Sequence, residues 1–301
     1  MPEIACIGEA MVELALDPAR PDSARVGFAG DTLNTAIYLK RCAPDLPVSY
    51  VTRLGRDAFS ARMLEMMARE GLATDLIGLS DDRRPGLYAI TTDAAGERSF
   101  SYWRDRSAAR ELFDQPPRLE ALARFDVIYL SAITLAILSP DARAALIAWL
   151  PGFRAAGGRV AFDSNHRPAL WPDPGTERAA VAALWAECDI ALPGLEDEMA
   201  IFGDPDEATV LARLRAAGIA RGAIKRGDRG PLSIAGDTGG RFPRADHVVD
   251  STAAGDSFNG AYLAACLAGR PEPECLAAGH ALALRVLAVK GAILSRENAP
   301  C

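Results

Sequence analysis

Cysteine is sparse and scattered in this chain. The six residues Cys6, Cys42, Cys188, Cys266, Cys275 and Cys301 include no C-x-x-C pair. Neither a zinc site nor a disulfide framework is indicated, and most of these thiols are expected to serve as small core hydrophobes in a reducing compartment. No uncharged apolar run reaches the roughly 18 residues of a membrane span. The opening segment shows no basic region followed by a long apolar one, so a cytoplasmic protein is expected. An excess of positive charge is also missing. The formal net charge is −7, which argues against a sequence-independent nucleic-acid binder, whose face would be basic. A local group of Arg residues could still receive a small anion. The chain has neither a G-x-x-x-x-G-K-[ST] phosphate loop nor an H-R-D catalytic loop, which removes the two common kinase machineries. It also lacks internal repeats, charge runs and low-complexity tracts.

What is present is the composition of a large globular protein: 301 residues, 50% hydrophobic and 24% charged, enough for one α/β domain with a sizeable core. Ile4 to Gly8 reads as a buried strand, and Gly8 to Leu14 continues with polar and apolar residues alternating, as in a sheet with one wet face. A hairpin is expected over Arg84 to Arg104 with its turn at Ala94-Ala95-Gly96, and together with Met11 to Leu16 it makes a small sheet detached from the main one. From Val127 onward β and α patterns alternate. Strands are expected at Val127–Ser131, Gly158–Asp163, Ile190–Leu192 and Ala220–Lys225, and helices at Pro140–Phe153, Glu177–Glu187, Pro205–Ala217 and Ala277–Val289. Repeated βα units predict an α/β fold with a mostly parallel sheet, and in such a sheet ligands lie outside the carboxyl ends of the strands.

The stretch from Val249 to Gly260, V-D-S-T-A-A-G-D-S-F-N-G, with the β-like pair Val248 and Val249 at its start, predicts a strand, a tight turn and a helix. Ala253, Ala254 and Gly255 then fall where a helix leaves its first N–H groups unpaired, and their small side chains let an anion approach. Asp256 follows in the first helical turn, placed to act as base for a phosphoryl acceptor. An ordinary capped helix has the same pattern of small residues followed by Asp. Asp31 and Asn34 allow a similar pair of readings, as a helix cap or as a polar site. Asp163 and Asn165 fit an Asx turn, which leaves Arg167 unexplained. Ile224 to Pro231 is at least a glycine turn between strands.

The stretch resembles the signature D-[ST]-T-G-A-G-D-x-F of the PfkB (ribokinase-like) carbohydrate kinases, aligned on Asp250, Ser251, Thr252, Ala254, Gly255, Asp256 and Phe258. Ala253 replaces a Gly, a T-A-A-G-D form similar to that of the 2-keto-3-deoxygluconate (KDG) kinase branch. Other motifs follow in the family's order from Gly8 to Pro300. Gly30-Asp31-Thr32-Leu33-Asn34 resembles the family's sugar-contacting helix entrance, and Leu54 to Ser60 resembles its G-x-D-x-[FAW]-G region, with Ser60 in place of the last Gly. Asp163 to Trp171 resembles D-x-N-x-R-x-x-L-W, Lys225 to Gly230 resembles K-x-G-x-x-G, and Lys290-Gly291-Ala292 through Arg296, Glu297 and Pro300 resembles the C-terminus of KDG kinases.

The resemblance implies a ribokinase-like three-layer α/β domain spanning 1–301, with a mostly parallel central sheet and a small β-sheet lid from about 11–28 and 84–106. It implies that Asp256 is the catalytic base and that Ala253, Ala254 and Gly255 form the anion hole. Gly30, Asp31, Asn34, Tyr88, Tyr102, Arg104, Arg167 and Asp256 would bind the sugar, the arginines clamping its carboxylate. Asn165, Lys225, Gly227, Gly230, Ala254 and Gly255 would bind ATP. The family's P-N-x-x-E element appears with Gly194 for Asn, which leaves open whether Glu196, Asp197 or Glu198 serves the metal and phosphates. The expected reaction transfers the γ-phosphoryl of ATP, carried with Mg²⁺, to the C6 hydroxyl of KDG. An Asp with the ordinary pKa of about 4 is a weak base, so orientation of the hydroxyl is expected to matter more than its proton. The alternatives are a kinase of a neutral ketose such as fructose and a catalytically silent sugar- or nucleotide-binding relative. A homodimer through paired lid sheets is also expected.

Overall fold

The computed structural model describes residues 1–17, 19–92, 98–236 and 240–295. The turn expected at Ala94-Ala95-Gly96 and the family-like Arg296, Glu297 and Pro300 lie outside the described residues. In chain order the strands are β1 (Ile4–Ile7), β2 (Met11–Asp17), β3 (Arg20–Ala29), β4 (Val48–Leu54), β5 (Ile77–Leu79), β6 (Gly86–Thr92), β7 (Arg98–Trp103), β8 (Val127–Ser131), β9 (Arg159–Asp163), β10 (Ile190–Ala191), β11 (Arg221–Ile224) and β12 (Leu232–Ser233). The α-helices are α1 (Asp31–Cys42), α2 (Ala58–Arg69), α3 (Ala132–Ile137), α4 (Pro140–Ala155), α5 (Pro174–Trp185), α6 (Leu195–Phe202), α7 (Glu207–Ala216), α8 (Ala254–Leu267) and α9 (Glu272–Leu287).

Strand β1 has all its side chains buried, as expected where helices cover both faces of a parallel sheet. Alternate residues point to opposite faces. Ala5 and Ile7 join a core with Leu146, Leu150, Leu184 and Leu214 of α4, α5 and α7. Ile4 and Cys6 join the other core with Leu33, Met63, Tyr262 and Leu276 of α1, α2, α8 and α9. The result is three layers around a sheet of order β12-β11-β10-β9-β8-β1-β4-β5. Its neighbours run parallel except β11 and β12. The chain passes from β1 out to β5 on one side and returns to β8 on the other, so the strand order reverses at β1, the kind of position where such sheets bind ligands. The second sheet, β3-β2-β6-β7, is separate. Strands β2 and β6 pair in parallel, and β3 and β7 join them antiparallel as edges.

Capping explains where several helices differ from the sequence expectation. Asp173 accepts from Thr176 N at 2.9 Å, and Pro174 is tolerated in a first turn, so α5 begins ahead of Glu177. Helix α9 likewise starts at Glu272, directly after Pro271. The strand expected at Val248 and Val249 does not form. Both side chains are exposed, and Val249 N and Asp250 N donate to Leu287 O at the end of α9 instead of to a neighbouring strand. Cys6, Cys188, Cys266 and Cys275 are buried free thiols. Among the described residues no helix is long and apolar enough to cross a membrane.

Candidate active site

Helices α1 and α8 bring their N-termini together at the carboxyl ends of β1, β8, β9 and β11. Gly260 permits this approach, because a Cβ there would stand 2.8 Å from both Thr35 O and Leu39 N of α1. The contact lets α1 hold the start of α8: Asn34 Nδ2 donates to Asp256 Oδ2 at 2.8 Å, and Thr35 Oγ1 to Asp256 O at 3.1 Å. Ala253 enters α8 in the left-handed region, at φ 61° and ψ 13°. That conformation costs a non-glycine residue about 1 kcal/mol, a physical reason for Gly at this position in the signature. The first intrahelical bond is Ser257 N to Ala253 O, so the N–H groups of Gly255 and Asp256 precede the hydrogen-bonded ladder, where an anion can meet them.

Two cavities meet at this turn. One, of about 560 Å³, is walled by apolar groups including Val248, Phe258, Leu284 and Leu287, and is also lined by Lys225, Gly227, Gly230, Ala254 and Gly255. The other, of about 860 Å³, is the more polar of the two and is lined by Gly30, Asp31 and Asn34 of the α1 entrance, Ala253 and Asp256 of the α8 entrance, and Asn165 and Arg167. Tyr88, Tyr102 and Arg104 line it from the small sheet. Lys225, Gly227, Ser251 and Gly255 line both cavities, so they form the partition. Of the residues expected at ATP, Asn165 lines only the polar cavity, where its Nδ2 donates to Asp31 Oδ2 at 3.0 Å.

Asp31 makes no helix cap. Its Oδ2 also accepts from Ser131 Oγ at the end of β8, so the carboxylate is anchored across the switch point. Asp256 does not keep the ordinary acidity expected of it. Enclosure by the protein, with Asp31 and Asp163 facing it, raises its pKa well above the usual carboxylate range against the opposing pull of Asn34 and Lys225.

Tyr88 donates to Glu13, and burial reinforced by Glu13 pushes the phenol far above its ordinary range, so it remains a donor. The Tyr102 ring lies 5.8 Å from the Tyr88 ring. Arg104 lines the cavity but is already engaged: its Nε donates to Glu9 Oε2 at 2.9 Å and its Nη2 donates to the same oxygen. Arg167 Nη1 donates to His166 O at 2.6 Å.

The three acids before α6 divide. Glu198 is turned into the core, where Arg213 Nη2 donates to it at 2.9 Å, and burial pushes its carboxyl up to about 7. Asp197 lines the polar cavity, and burial and then Asp163 raise its pKa against Lys225 and Arg167. Glu196 and Asp197 also line a smaller pocket beside the glycine turn. Among the described residues no group of three or more His, Cys, Asp or Glu side chains is placed to hold a metal ion.

Sequence reasoning missed Asn259 and Glu9, and it gave Asp163 no role beyond an Asx turn and a place in the motif it opens. Asp163 does accept from Asn165 N at 3.1 Å as an Asx turn, but its Oδ2 also accepts from Lys225 Nζ at 2.6 Å and Asn259 Nδ2 at 2.6 Å. The available signal was helical spacing: Asn259 lies three residues after Asp256 and shares its face of α8. The arrangement suits group transfer, with one ligand in each cavity, an anion site between them and a carboxylate on the acceptor side.

The chain matches the family model described as pfkB family carbohydrate kinase over residues 1–299. It is 45% identical over 307 residues to a 2-dehydro-3-deoxygluconokinase of Dickeya dadantii, covering 99% of this chain and 98% of that protein. It is 43% identical over 310 residues to a protein of the same name from Escherichia coli, covering 99% of each. A solved PfkB protein from Polaromonas has the same fold, with a TM-score of 0.82 at 26% identity over 99% of each chain.

Proposed function

Because the chain belongs to the pfkB family of carbohydrate kinases, whose co-substrate is ATP, we propose that it phosphorylates 2-keto-3-deoxygluconate at the C6 hydroxyl. The name 2-dehydro-3-deoxygluconokinase belongs to relatives that match nearly the whole chain, and it denotes that keto acid. The observation that carries the reading is Asp256, fixed by Asn34 on the acceptor side of the partition.

In this reading adenine occupies the apolar cavity, the phosphates cross Gly227, Gly230 and the α8 N-terminus, and the sugar lies in the polar cavity. Asp256 takes the C6 hydroxyl proton as the new O–P bond forms and the bond to the departing ADP breaks. In a loose transition state, proton transfer is late and orientation dominates. Mg²⁺ fits this site as a passenger on the nucleotide: it needs only one or two carboxylates besides phosphates and water. Asp197 is the acid that faces the cavity for that role, and the ion would neutralise charge on the phosphates.

The substrate carboxylate is assigned to Arg167, with Arg104 and the tyrosines beside it. One observation favours a second reading. Glu9 already neutralises Arg104, as would suit a neutral ketose such as fructose. The test is ADP release from Mg·ATP with KDG, fructose, ribose or no sugar. Turnover with KDG alone is expected, turnover with fructose alone would transfer the assignment to the ketose, and silence with every sugar would reject the kinase activity. We further infer a homodimer through the small sheet, supported by the exposed Trp103 on its edge.

A further inference from the structure

Lys225 stands where the two cavities meet. An ammonium carries three N–H donors, and two of these are already accepted: Nζ donates to Asp163 Oδ2 at 2.6 Å and to Asn259 Oδ1 at 3.2 Å. The acceptors are themselves fixed. Asn259 Nδ2 donates to the same Asp163 oxygen at 2.6 Å and to Tyr129 Oη at 3.1 Å. Thr35 Oγ1 lies 3.3 Å from Tyr129 Oη and 3.1 Å from Asp256 O, which ties the cluster to the first turn of α8. Asp163 and Asn259 are buried, at 2% and 0% exposure; Asp163 touches the sugar-side cavity, and Lys225 alone of the three lines both cavities. A Cβ on Gly255 would lie 3.5 Å from Nζ, so the ammonium borders the anion site.

We infer that Asp163 and Asn259 are positioning residues that hold the Lys225 ammonium at the crossing point of the two cavities, so that Lys225 acts on the phosphoryl group in transit. The inference rests on the kinase reading above. A lysine that only attracted resting nucleotide would need no pair of buried acceptors, and Asp163 offsets part of its charge toward a ligand in the ground state. A donor fixed in advance stabilises charge in the transition state without reorganising when the reaction occurs. The charge-assisted bonds to Asp163 and Asn259 supply that fixing.

The test compares wild type, Asp163→Asn, Asn259→Ala, Lys225→Met and the double variant Asp163→Asn/Lys225→Met. ADP, alone and with fluoroaluminate as a planar phosphoryl mimic, is titrated by calorimetry in the presence of the most active sugar, or of KDG if none is active. The values of kcat and of KM for ATP come from the same preparations. Asp163→Asn is expected to lower kcat and the gain in affinity from fluoroaluminate by about 100-fold, while ADP affinity and KM for ATP stay within about threefold. The double variant should be no worse than Lys225→Met, because Asp163 acts through Lys225. Asn259→Ala removes one acceptor without changing charge and should show the same pattern at smaller size, which keeps the test readable if Asp163→Asn folds poorly.

Losses confined to KM, additive losses in the double variant, or an unchanged fluoroaluminate gain would each overturn the inference. A wild type that releases no ADP with any sugar would reject the kinase reading separately. The fluoroaluminate gain still decides in that case, supporting the inference if wild type shows it and Asp163→Asn loses it, and overturning it if wild type shows none.

Discussion

A carboxylate is a stronger base the more its acid resists ionisation, and Asp256 resists because the protein encloses it and Asp31 and Asp163 face it. The same shift has a thermodynamic sign. A native pKa above the unfolded value means that the folded chain holds the proton more tightly, so stability falls as pH rises from the unfolded value near 4 towards the native one. Asp256→Asn removes that cost while Oδ1 can still accept from Asn34. Its melting temperature at pH 7 should equal or exceed that of wild type, with the advantage shrinking toward pH 4, and kcat should fall by about 100-fold or more. Retention of more than about a tenth of the wild-type rate, against that expected loss, would remove Asp256 from the base role. The position of Asp256 was legible in the sequence, because small residues before an acid mark the start of a helix. Its acidity was not, because Asp31 and Asp163 come from distant elements that only the fold brings to face it.

At the level of elements, βα alternation made the parallel sheet and the polar strand ends legible, since both follow from local period and turn chemistry. Pairing between elements was not. Val248 and Val249 look like a strand by composition, yet their segment bonds to the end of α9. Arg104 looks like a free clamp on a hairpin, yet it forms a buried ion pair with Glu9, with side chains 8% and 1% exposed. That pair ties the connection between β1 and β2 to the end of β7. Removing one partner of such a pair strands the other charge and costs about 3 kcal/mol, whereas removing both is close to neutral. Glu9→Gln and Arg104→Met should therefore each destabilise the chain to denaturant, and the double variant should recover most of the loss. Simple addition of the two losses would show that the two charges do not depend on each other.

Across the whole molecule, the small sheet supplies one wall of the polar cavity while its outer strand remains uncovered. An edge strand with exposed apolar side chains is a template for pairing unless something blocks or covers it. On β7, Phe100, Tyr102 and Trp103 are 41%, 52% and 61% exposed. Phe100 and Tyr102 are accounted for by the cavity they line, which leaves Trp103 without such a role. A second copy of the same sheet would cover it through a self-complementary interface, the commonest way soluble chains assemble. The protein should then sediment as a dimer at micromolar concentration. Trp103→Lys, which puts charge on the edge without touching the core, should shift it to monomer with its helical and strand content unchanged. A monomeric wild type would sink the proposal, and so would a lysine variant that still dimerises, because the contact would then have to lie on another face of the molecule.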